Sequence, residues 1–242
     1  MDYDRIKRIL KLDRKLDLKS AEILNGIIGK SNLGSIGKLI RSRYVIIFGA
    51  GPSLEKDIKN IKSVGLIEFT TVIVVDGALT ALTENDITPD IIVTDLDGDI
   101  DTLIEANNNG VIVIVHAHGD NIEMIREIVP KLKNVIGTTQ IGKFDKLRNF
   151  GGFTDGDRAV YMAEYFNAEL IFLAGMDFGS EIGRYSRKYD RKSKIKKLMI
   201  GRKLLEKLAM KSNPVILNLT SGGEDLRGIP RISVENAKKL IL

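Results

Sequence analysis

Residues 90–99 read DIIVTDLDGD, a short apolar run that leads directly into three aspartates and a glycine. The run lacks polar alternation, which is typical of a strand buried on both faces of a parallel sheet. Runs of the same Val- and Ile-rich kind recur along the chain at Tyr44–Phe48, Thr71–Val75, Val111–Val115, Asn134–Ile136, Leu170–Ala174 and Val215–Leu217. Helical patterns lie between many of them, at Leu54–Val64, Asn121–Leu132 and Arg158–Phe166. This alternation predicts an α/β fold, a three-layer sandwich with a mostly parallel sheet.

The first forty residues have a different pattern. Two helical stretches are predicted at Tyr3–Leu12 and Leu18–Ile28, with Asp17 as the N-cap of the second. A linker rich in Gly, Ser and Asn is predicted at residues 29–37. We therefore expect a small N-terminal helical segment over residues 1–40 and an α/β catalytic domain over residues 41–242.

Composition excludes several classes of protein and site. With 43% hydrophobic residues among 242, the chain can bury a full core and is not a disordered protein. No apolar run approaches the length of a membrane span and no signal-peptide pattern opens the chain, so we expect a cytoplasmic protein without membrane contact. The absence of cysteine excludes disulfides and thiolate chemistry, and two histidines are too few for a His-rich metal site. A metal would be held mainly by oxygen, which indicates Mg²⁺ or Mn²⁺.

The net charge of +5 comes from one segment, residues 184–203, which holds ten Lys or Arg and one Asp. The remainder of the chain is mildly acidic. Such a segment could bind a polyphosphate or RNA, or it could be the solvated face of a helix.

Glycines and carboxylates follow nearly every predicted strand. The strings are GAGPS after Phe48, DGA after Val75, TDLDGD after Val93, HAHGDN after Val115 and GMDFG after Ala174. In an open parallel sheet the carboxyl ends of the strands lie along one edge, which is where ligands bind. We therefore expect these loops to meet in one site.

Asp95 and Asp97 are the strongest metal candidates. In an extended segment, alternate residues face the same way, so the two carboxylates are expected to converge. At about 5 Å they would repel each other by about 3 kcal/mol in a medium of effective dielectric about 20, and a divalent cation would reverse that cost. The alternative is an Asp-rich turn that caps neighbouring amides.

The other loops offer candidate nucleotide contacts. Gly49, Gly51, Pro52 and Ser53 form a glycine-containing turn at a helix start, which could bind phosphate, serve as a structural turn, or be a dinucleotide site.

His118, Asp120 and Asn121 follow a buried strand and could contact a nucleotide or metal, or belong to a structural histidine pair with His116. Thr154 and Asp157 predict a capping box, which leaves Asp155 free for phosphate or magnesium.

Asp177 could place a carboxylate beside a flat heterocycle and pair with an amino-pyrimidine edge.

In order along the chain, the strings FGAGPSL, VVDGAL, PDIIVTDLDGD, HAHGDN, GGFTDGDRA and AGMDFG resemble those of the archaeal 6-hydroxymethyl-7,8-dihydropterin pyrophosphokinases. The resemblance covers about residues 40–230. It implies transfer of diphosphate from ATP to the pterin hydroxymethyl group with release of AMP, on a path to folate or methanopterin.

Carried onto this chain, the resemblance implies that Asp95 and Asp97 hold Mg²⁺ and are catalytic together with Asp155. Asp76 is a further carboxylate candidate. The GAGPS loop, Asn121 and Thr154 are expected to contact the nucleotide. The partners expected are the pterin and ATP, with no nucleic acid, and a homo-oligomer is possible.

Three other functions stay open at this point. The DGA, PDIIVTDLDGD and TDGD strings also resemble the catalytic domain of thiamine pyrophosphokinase, and GAGPSL is similar to a string in flagellin-modification proteins that would use a nucleotide-sugar. The basic segment leaves room for a nucleic-acid binder, although aromatic residues are sparse and no recognised nucleic-acid motif is present.

Overall fold

The computed structural model describes residues 3–186 and 190–242. Its centre is an eight-stranded sheet in the order β6-β5-β4-β3-β2-β1-β7-β8, and every neighbouring pair is parallel. The strands are β1 Tyr44–Phe48, β2 Thr71–Val75, β3 Ile91–Thr94, β4 Ile112–Ala117, β5 Val135–Thr139, β6 Leu147–Arg148, β7 Leu170–Ala174 and β8 Val215–Asn218. All residues of β2, β3, β4 and β7 are buried, so both faces of the sheet are covered. The predicted α/β sandwich is confirmed.

Ten α-helices are described: α1 Tyr3–Leu10, α2 Arg14–Ile27, α3 Leu33–Ile40, α4 Leu54–Ser63, α5 Leu79–Thr83, α6 Ile100–Asn108, α7 Ile122–Ile128, α8 Asp155–Tyr165, α9 Arg191–Ala209 and α10 Val234–Ile241. Helix α8 packs on β1, β2 and β3, whereas α2 packs on β4 and β5. None of these helices is both long and apolar enough to cross a membrane.

Three details of the N-terminal prediction were wrong. The second helix begins at Arg14 and its N-cap is Asp13, which accepts a hydrogen bond from the Lys15 amide. Asp17 lies in the first turn of that helix and is buried. The predicted linker at residues 29–37 contains most of α3, because Leu33, Ile36 and Ile40 recur at helical spacing and pack into the core despite the glycines between them.

Elsewhere the differences are small. Strand β6 has two residues, too few to produce a pattern in the sequence. The predicted helix Asn121–Leu132 is divided into α7 and a short 3-10 turn at Val129–Lys131, where Pro130 lacks the amide needed to continue an α-helix. The part of the basic segment at residues 187–189 lies outside the described residues, and most of the remainder forms α9.

The strand order positions the site. Successive strands from β1 to β6 are added on one side of β1, and β7 and β8 lie on its other side. The order of addition therefore reverses between β1 and β7, which is a topological switch point, and the loops after β2, β3 and β4 follow along the same edge.

Candidate active site

Three carboxylates meet at the carboxyl edge of β2 and β3. Asp76 follows β2, Asp95 and Asp97 follow β3, and one oxygen of each lies within 4.8 Å of the others. The convergence of Asp95 and Asp97 was predicted, but for a different geometric reason. Leu96 between them has a φ of 66° and is buried, so the chain turns here and is not extended. We call Asp76, Asp95 and Asp97 the carboxylate cluster.

Asp76 is the buried member of the cluster. Its Oδ2 accepts hydrogen bonds from the Thr94 hydroxyl at 2.6 Å and the Asp97 amide at 3.0 Å. Its Oδ1 is buried with no hydrogen-bond partner among the described residues. Burial, opposed by the Thr94 hydrogen bond and reinforced by the charges of Asp97 and Asp95, raises the pKa of Asp76 from 3.8 to about 7.

Asp95 is held by His118, from the loop after β4. The His118 Nε2 lies 3.0 Å from Asp95 Oδ2, and its Nδ1 accepts from the Asp120 amide at 3.3 Å. With a ring proton on Nε2, His118 donates to Asp95, and a protonated ring adds positive charge beside the same carboxylate. Burial works against ionisation of Asp95, but the hydrogen bond and charge of His118 outweigh it and lower the pKa of Asp95. Asp95 Oδ1 is a second buried oxygen without a partner among the described residues.

Asn121 fixes the loop that carries His118. Its Nδ2 donates to the carbonyls of Asp95 at 2.8 Å and His116 at 2.7 Å, and its Oδ1 accepts from the His118 amide and the Ser20 hydroxyl. Both groups of this buried amide are thus used within the protein. The geometry gives Asn121 a positioning role, and the nucleotide contact predicted from the sequence stays a prediction. The Asp120 side chain is 85% exposed, and its Oδ2 lies 3.9 Å from His118 Nδ1.

Asp17 ties the N-terminal helices to the same loop. Its Oδ1 accepts from the Gly119 amide at 2.7 Å, and its Oδ2 accepts from the Tyr3 hydroxyl at 2.5 Å. A Cβ at position 119 would lie 2.7 Å from the Leu16 Cβ, so the glycine permits this close packing.

The start of α8 forms another wall of the site. Asp157 accepts from the backbone amides of Phe153 and Thr154 and forms the predicted capping box with Thr154. The Asp155 side chain is therefore not part of this capping box. Burial and then the charge of Asp95 raise the pKa of Asp155 well above its ordinary value, and Arg158 acts in the opposite direction.

Arg158 is a cation in the protein interior. It is 2% exposed and donates to the Phe153 carbonyl at 2.9 Å, and its Nε has no partner among the described residues. Burial lowers its pKa, whereas Asp155, Asp157 and Asp95 favour the charged form. Arg158 therefore partly balances the negative charge of these carboxylates.

The loops after β1 and β7 are tied to each other. The amides of Gly49 and Gly51 donate to the carbonyls of Ala174 and Gly175, and the Ser53 amide donates to Asp177 Oδ2. A Cβ on Gly51 would lie 2.0 Å from that same oxygen. These glycines thus have a packing role, and the three amides are not free to bind phosphate.

The carboxylate at the centre of this packing is Asp57, which the sequence did not single out. Its Oδ2 accepts from the Gly175 amide and the Ser53 hydroxyl, and its Oδ1 accepts from the Ser221 amide. Asp177 is buried among these loops and accepts from the Ser53 amide, and its Oδ2 lies 3.0 Å from the Ser53 hydroxyl, whose single proton is shared between Asp57 and Asp177. These bonds give Asp177 a structural role, and its contact with a heterocycle stays a prediction. Pro52 is exposed in the same loop.

Helix α9 brings two lysines of the basic segment to the cluster. A Cβ on Gly201 would lie 2.9 Å from Asp157 Oδ1 and 3.4 Å from the Thr154 hydroxyl, so this face of α9 packs on the start of α8. Lys197 and Lys194 lie one and two turns earlier on the same face. Their charges favour the ionised forms of Asp95 and Asp97, respectively, although burial and the charge of Asp95 still raise the pKa of Asp97.

The cluster suits a divalent cation with a preference for oxygen. Its ligand atoms are carboxylate oxygens, and two of them, Asp76 Oδ1 and Asp95 Oδ1, are buried without a hydrogen bond among the described residues. An unpaired buried oxygen is costly, and a cation would remove that cost. The donor set therefore fits Mg²⁺ or Mn²⁺.

Sequence reasoning missed Asp57, Arg158 and the specific lysines of α9. No local pattern marks Asp57 or the lysines, because they act on residues far away along the chain, and no local pattern shows that Arg158 is buried.

The chain matches the model of a protein family described as 6-hydroxymethylpterin diphosphokinase MptE-like over residues 24–183. It is 48% identical over 194 residues to 6-hydroxymethyl-7,8-dihydropterin pyrophosphokinase of Methanocaldococcus jannaschii. The aligned region covers 76% of this chain and 80% of that protein. It is 41% identical over 213 residues to the protein of the same name from Pyrococcus furiosus, with 84% and 90% covered.

Among solved structures, the MAf glycosyltransferase from Magnetospirillum magneticum AMB-1 superposes with a TM-score of 0.58 at 16% identity. The match covers 93% of this chain and 40% of that one, and at this identity it shows a shared fold alone. The family match and the identity to the pyrophosphokinases agree with each other, and the chain belongs to the MptE-like 6-hydroxymethylpterin diphosphokinase family.

Proposed function

We propose that this protein transfers diphosphate from ATP to 6-hydroxymethyl-7,8-dihydropterin and releases AMP, and that Asp76, Asp95 and Asp97 hold the Mg²⁺ that the reaction uses. The observation that carries the metal assignment is the pair of unpartnered buried oxygens in the carboxylate cluster, judged over the described residues. Family membership supports the reaction, and the names of the relatives support the acceptor.

In the reaction, the hydroxymethyl oxygen forms a bond to the β-phosphorus of ATP. The bond between that phosphorus and the oxygen that bridges to the α-phosphorus breaks, and AMP leaves with this oxygen. The hydroxyl proton passes to a carboxylate at the site. Little covalent chemistry falls to the protein, whose task is to align the two substrates and stabilise the charge on the phosphates.

The residues around the cluster divide this task. When bound, Mg²⁺ neutralises phosphate charge at the reacting centre. Lys194 and Lys197 place positive charge on α9 beside the cluster. The N-terminus of α8, at Asp155 and Gly156, adds the positive end of a helix dipole. His118 orients Asp95 through the 3.0 Å hydrogen bond. Asp155 is the carboxylate near the cluster that is not used for capping, and we assign it a catalytic role beside Asp95 and Asp97.

The remaining expectations from the sequence keep the status of proposals. We propose that Thr154 contacts the nucleotide, as the sequence predicts, and that the loop of Gly49–Ser53, whose amides are used within the protein, supports the nucleotide site through packing. The division into a helical segment at 1–40 and a catalytic domain at 41–242 is likewise a proposal, as is location in the cytoplasm.

The test is an assay with Mg-ATP and the reduced hydroxymethylpterin, with AMP as the product measured. We expect Asp97→Asn to lower AMP formation on the order of 100-fold, because an amide oxygen is a weaker cation ligand and carries no charge. The Asp97 side chain is partly desolvated but reaches the protein surface, and its backbone amide still binds Asp76 in this variant, so the fold should survive. The exposed Asp86→Asn is the matched control. Near-wild-type activity of Asp97→Asn, or AMP formation with thiamine and not with the pterin, would contradict the proposal.

A further inference from the structure

A cavity of about 450 Å³ lies beside the carboxylate cluster, at the mouth of the loops after β2 and β3. Its walls come from these loops, the first turn of α6 and the segment before α9, and include Gly77, Thr80, Gly98, Asp99, Asp101 and Tyr185. The volume falls within the range of small-molecule sites.

The cavity shares a wall with the cluster. A Cβ on Gly98 would lie 1.7 Å from Asp76 Oδ1, so only the backbone of Gly98 stands beside this oxygen. Asp76 is 4% exposed and Oδ1 has no hydrogen-bond partner among the described residues. A group at this end of the cavity is therefore adjacent to the metal-binding oxygens.

The other walls suit a flat ring with hydrogen-bond donors on one edge. Tyr185 is held in place because its hydroxyl donates to Glu84 at 2.5 Å and the Arg184 guanidinium lies 4.7 Å from its ring centroid. Asp101 is exposed in the first turn of α6, and its carboxylate makes no hydrogen bond within the described part of the chain. A carboxylate accepts well from adjacent amino and ring N–H groups.

The donor substrate has a different place. Lys194, Lys197 and the start of α8 lie on the α9 side of the cluster, where the polyphosphate would bind. The cavity adjoins the cluster through Gly77 and Gly98, residues that belong to neither helix. The cluster would thus stand between two substrates, as a transfer between them requires.

We propose that this cavity is the acceptor site, in which Tyr185 packs against a pterin ring, Asp101 accepts from its amino-pyrimidine edge, and the hydroxymethyl group reaches past Gly98 to the cluster. This inference rests on the proposed function and adds to it the place and the recognition of the acceptor. In this proposal the carboxylate that accepts hydrogen bonds from the pterin ring is Asp101. Asp177 Oδ2 is already hydrogen-bonded to Ser53.

Steady-state kinetics with both substrates varied separates the acceptor from the donor. We expect Asp101→Asn to raise the KM for the pterin about 10-fold and leave the KM for ATP unchanged, since the lost bonds belong to the acceptor alone. Tyr185→Leu should raise the KM for the pterin more than Tyr185→Phe does, because only the leucine variant lacks the ring. Glu105→Gln is the control, an exposed carboxylate one turn further along α6 that does not line the cavity.

The outcomes distinguish this inference from the proposed function. A wild-type protein that makes no AMP from ATP and the pterin would overturn the proposed function and the acceptor site with it. An active wild type whose Asp101→Asn and Tyr185→Leu variants keep the wild-type KM for the pterin would overturn the acceptor site alone. Variants that raise the KM for ATP and not that for the pterin would overturn the acceptor site in the same way.

Discussion

Asp76→Asn should make the metal-free protein more stable at high pH while abolishing its stabilisation by Mg²⁺. Asp76 is 4% exposed, and burial together with its neighbours raises its pKa from 3.8 to about 7. A carboxyl whose pKa is higher in the folded state than in the unfolded state favours folding only while it is protonated. Its contribution is complete below about pH 4 and is lost as the pH rises to about 7.

The size of the effect follows from the two pKa values. A rise from 3.8 to about 7 corresponds to about 4 kcal/mol of lost stability above pH 7, as an upper limit for the metal-free protein. The asparagine carries no charge, and its Oδ1 can still accept from the Thr94 hydroxyl and the Asp97 amide. The variant should thus avoid this loss.

Urea unfolding in EDTA at pH 5 and pH 8 measures the effect. We expect the free energy of unfolding of the variant to exceed that of the wild type by about 2–4 kcal/mol at pH 8, and by much less at pH 5. Addition of Mg²⁺ at pH 8 should stabilise the wild type and leave the variant unchanged. The exposed Asp86→Asn should show no such dependence on pH. A variant less stable than the wild type at both pH values would refute this account of the cluster.

Three further perturbations test the surroundings of the cluster. Gly98→Ala should abolish stabilisation of the protein by Mg²⁺, because the added Cβ would displace the Asp76 carboxylate. Gly26→Ala is the control: its Cβ would meet no other atom, and the free energy of unfolding should rise by about 0.5–1 kcal/mol. Lys197→Gln should raise the KM for ATP several-fold, and Lys196→Gln, on the exposed side of α9, should not. Asp17→Ala should lower the free energy of unfolding in urea by about 1–3 kcal/mol, because it leaves the Gly119 amide without its acceptor. Tyr3→Phe removes only the other hydrogen bond to Asp17, so an equal loss of stability in that variant would contradict this explanation.

The sheet could be predicted from the sequence because its strands have a local signature. Runs such as Thr71–Val75 and Leu170–Ala174 are apolar throughout, and buried parallel strands have this pattern. Helix α3 was missed because its glycines resemble a linker, while the apolar residues between them are recognisable as a helix face only once they have a surface to pack on. Strand β6 is too short to be detected in any sequence.

The sequence predicted which loops form the candidate site, but it did not predict the hydrogen bonds that their side chains make. Asp76, Asp95 and Asp97 could be placed at one edge because strand ends determine where they lie. The sequence could not show that Asp57 would use its oxygens on the loops after β1 and β7, and so leave Gly49 and Gly51 with a packing role. Nor could it show Arg158 as a buried cation, because an arginine in a helix pattern is usually exposed.

Asp17 was wrongly predicted as an N-cap for the same reason: its hydrogen-bond partner is distant in the sequence. Local reasoning considers only nearby amides, whereas the amide that Asp17 binds is that of Gly119, 102 residues further along the chain. Gly119 follows His118, which donates to Asp95, and Ser20 on the same helix donates to Asn121, which binds the Asp95 carbonyl. Helix α2 therefore holds the loop that orients one of the cluster carboxylates from two points. A change in this helix should reach the carboxylate cluster through these bonds, as well as through lost stability.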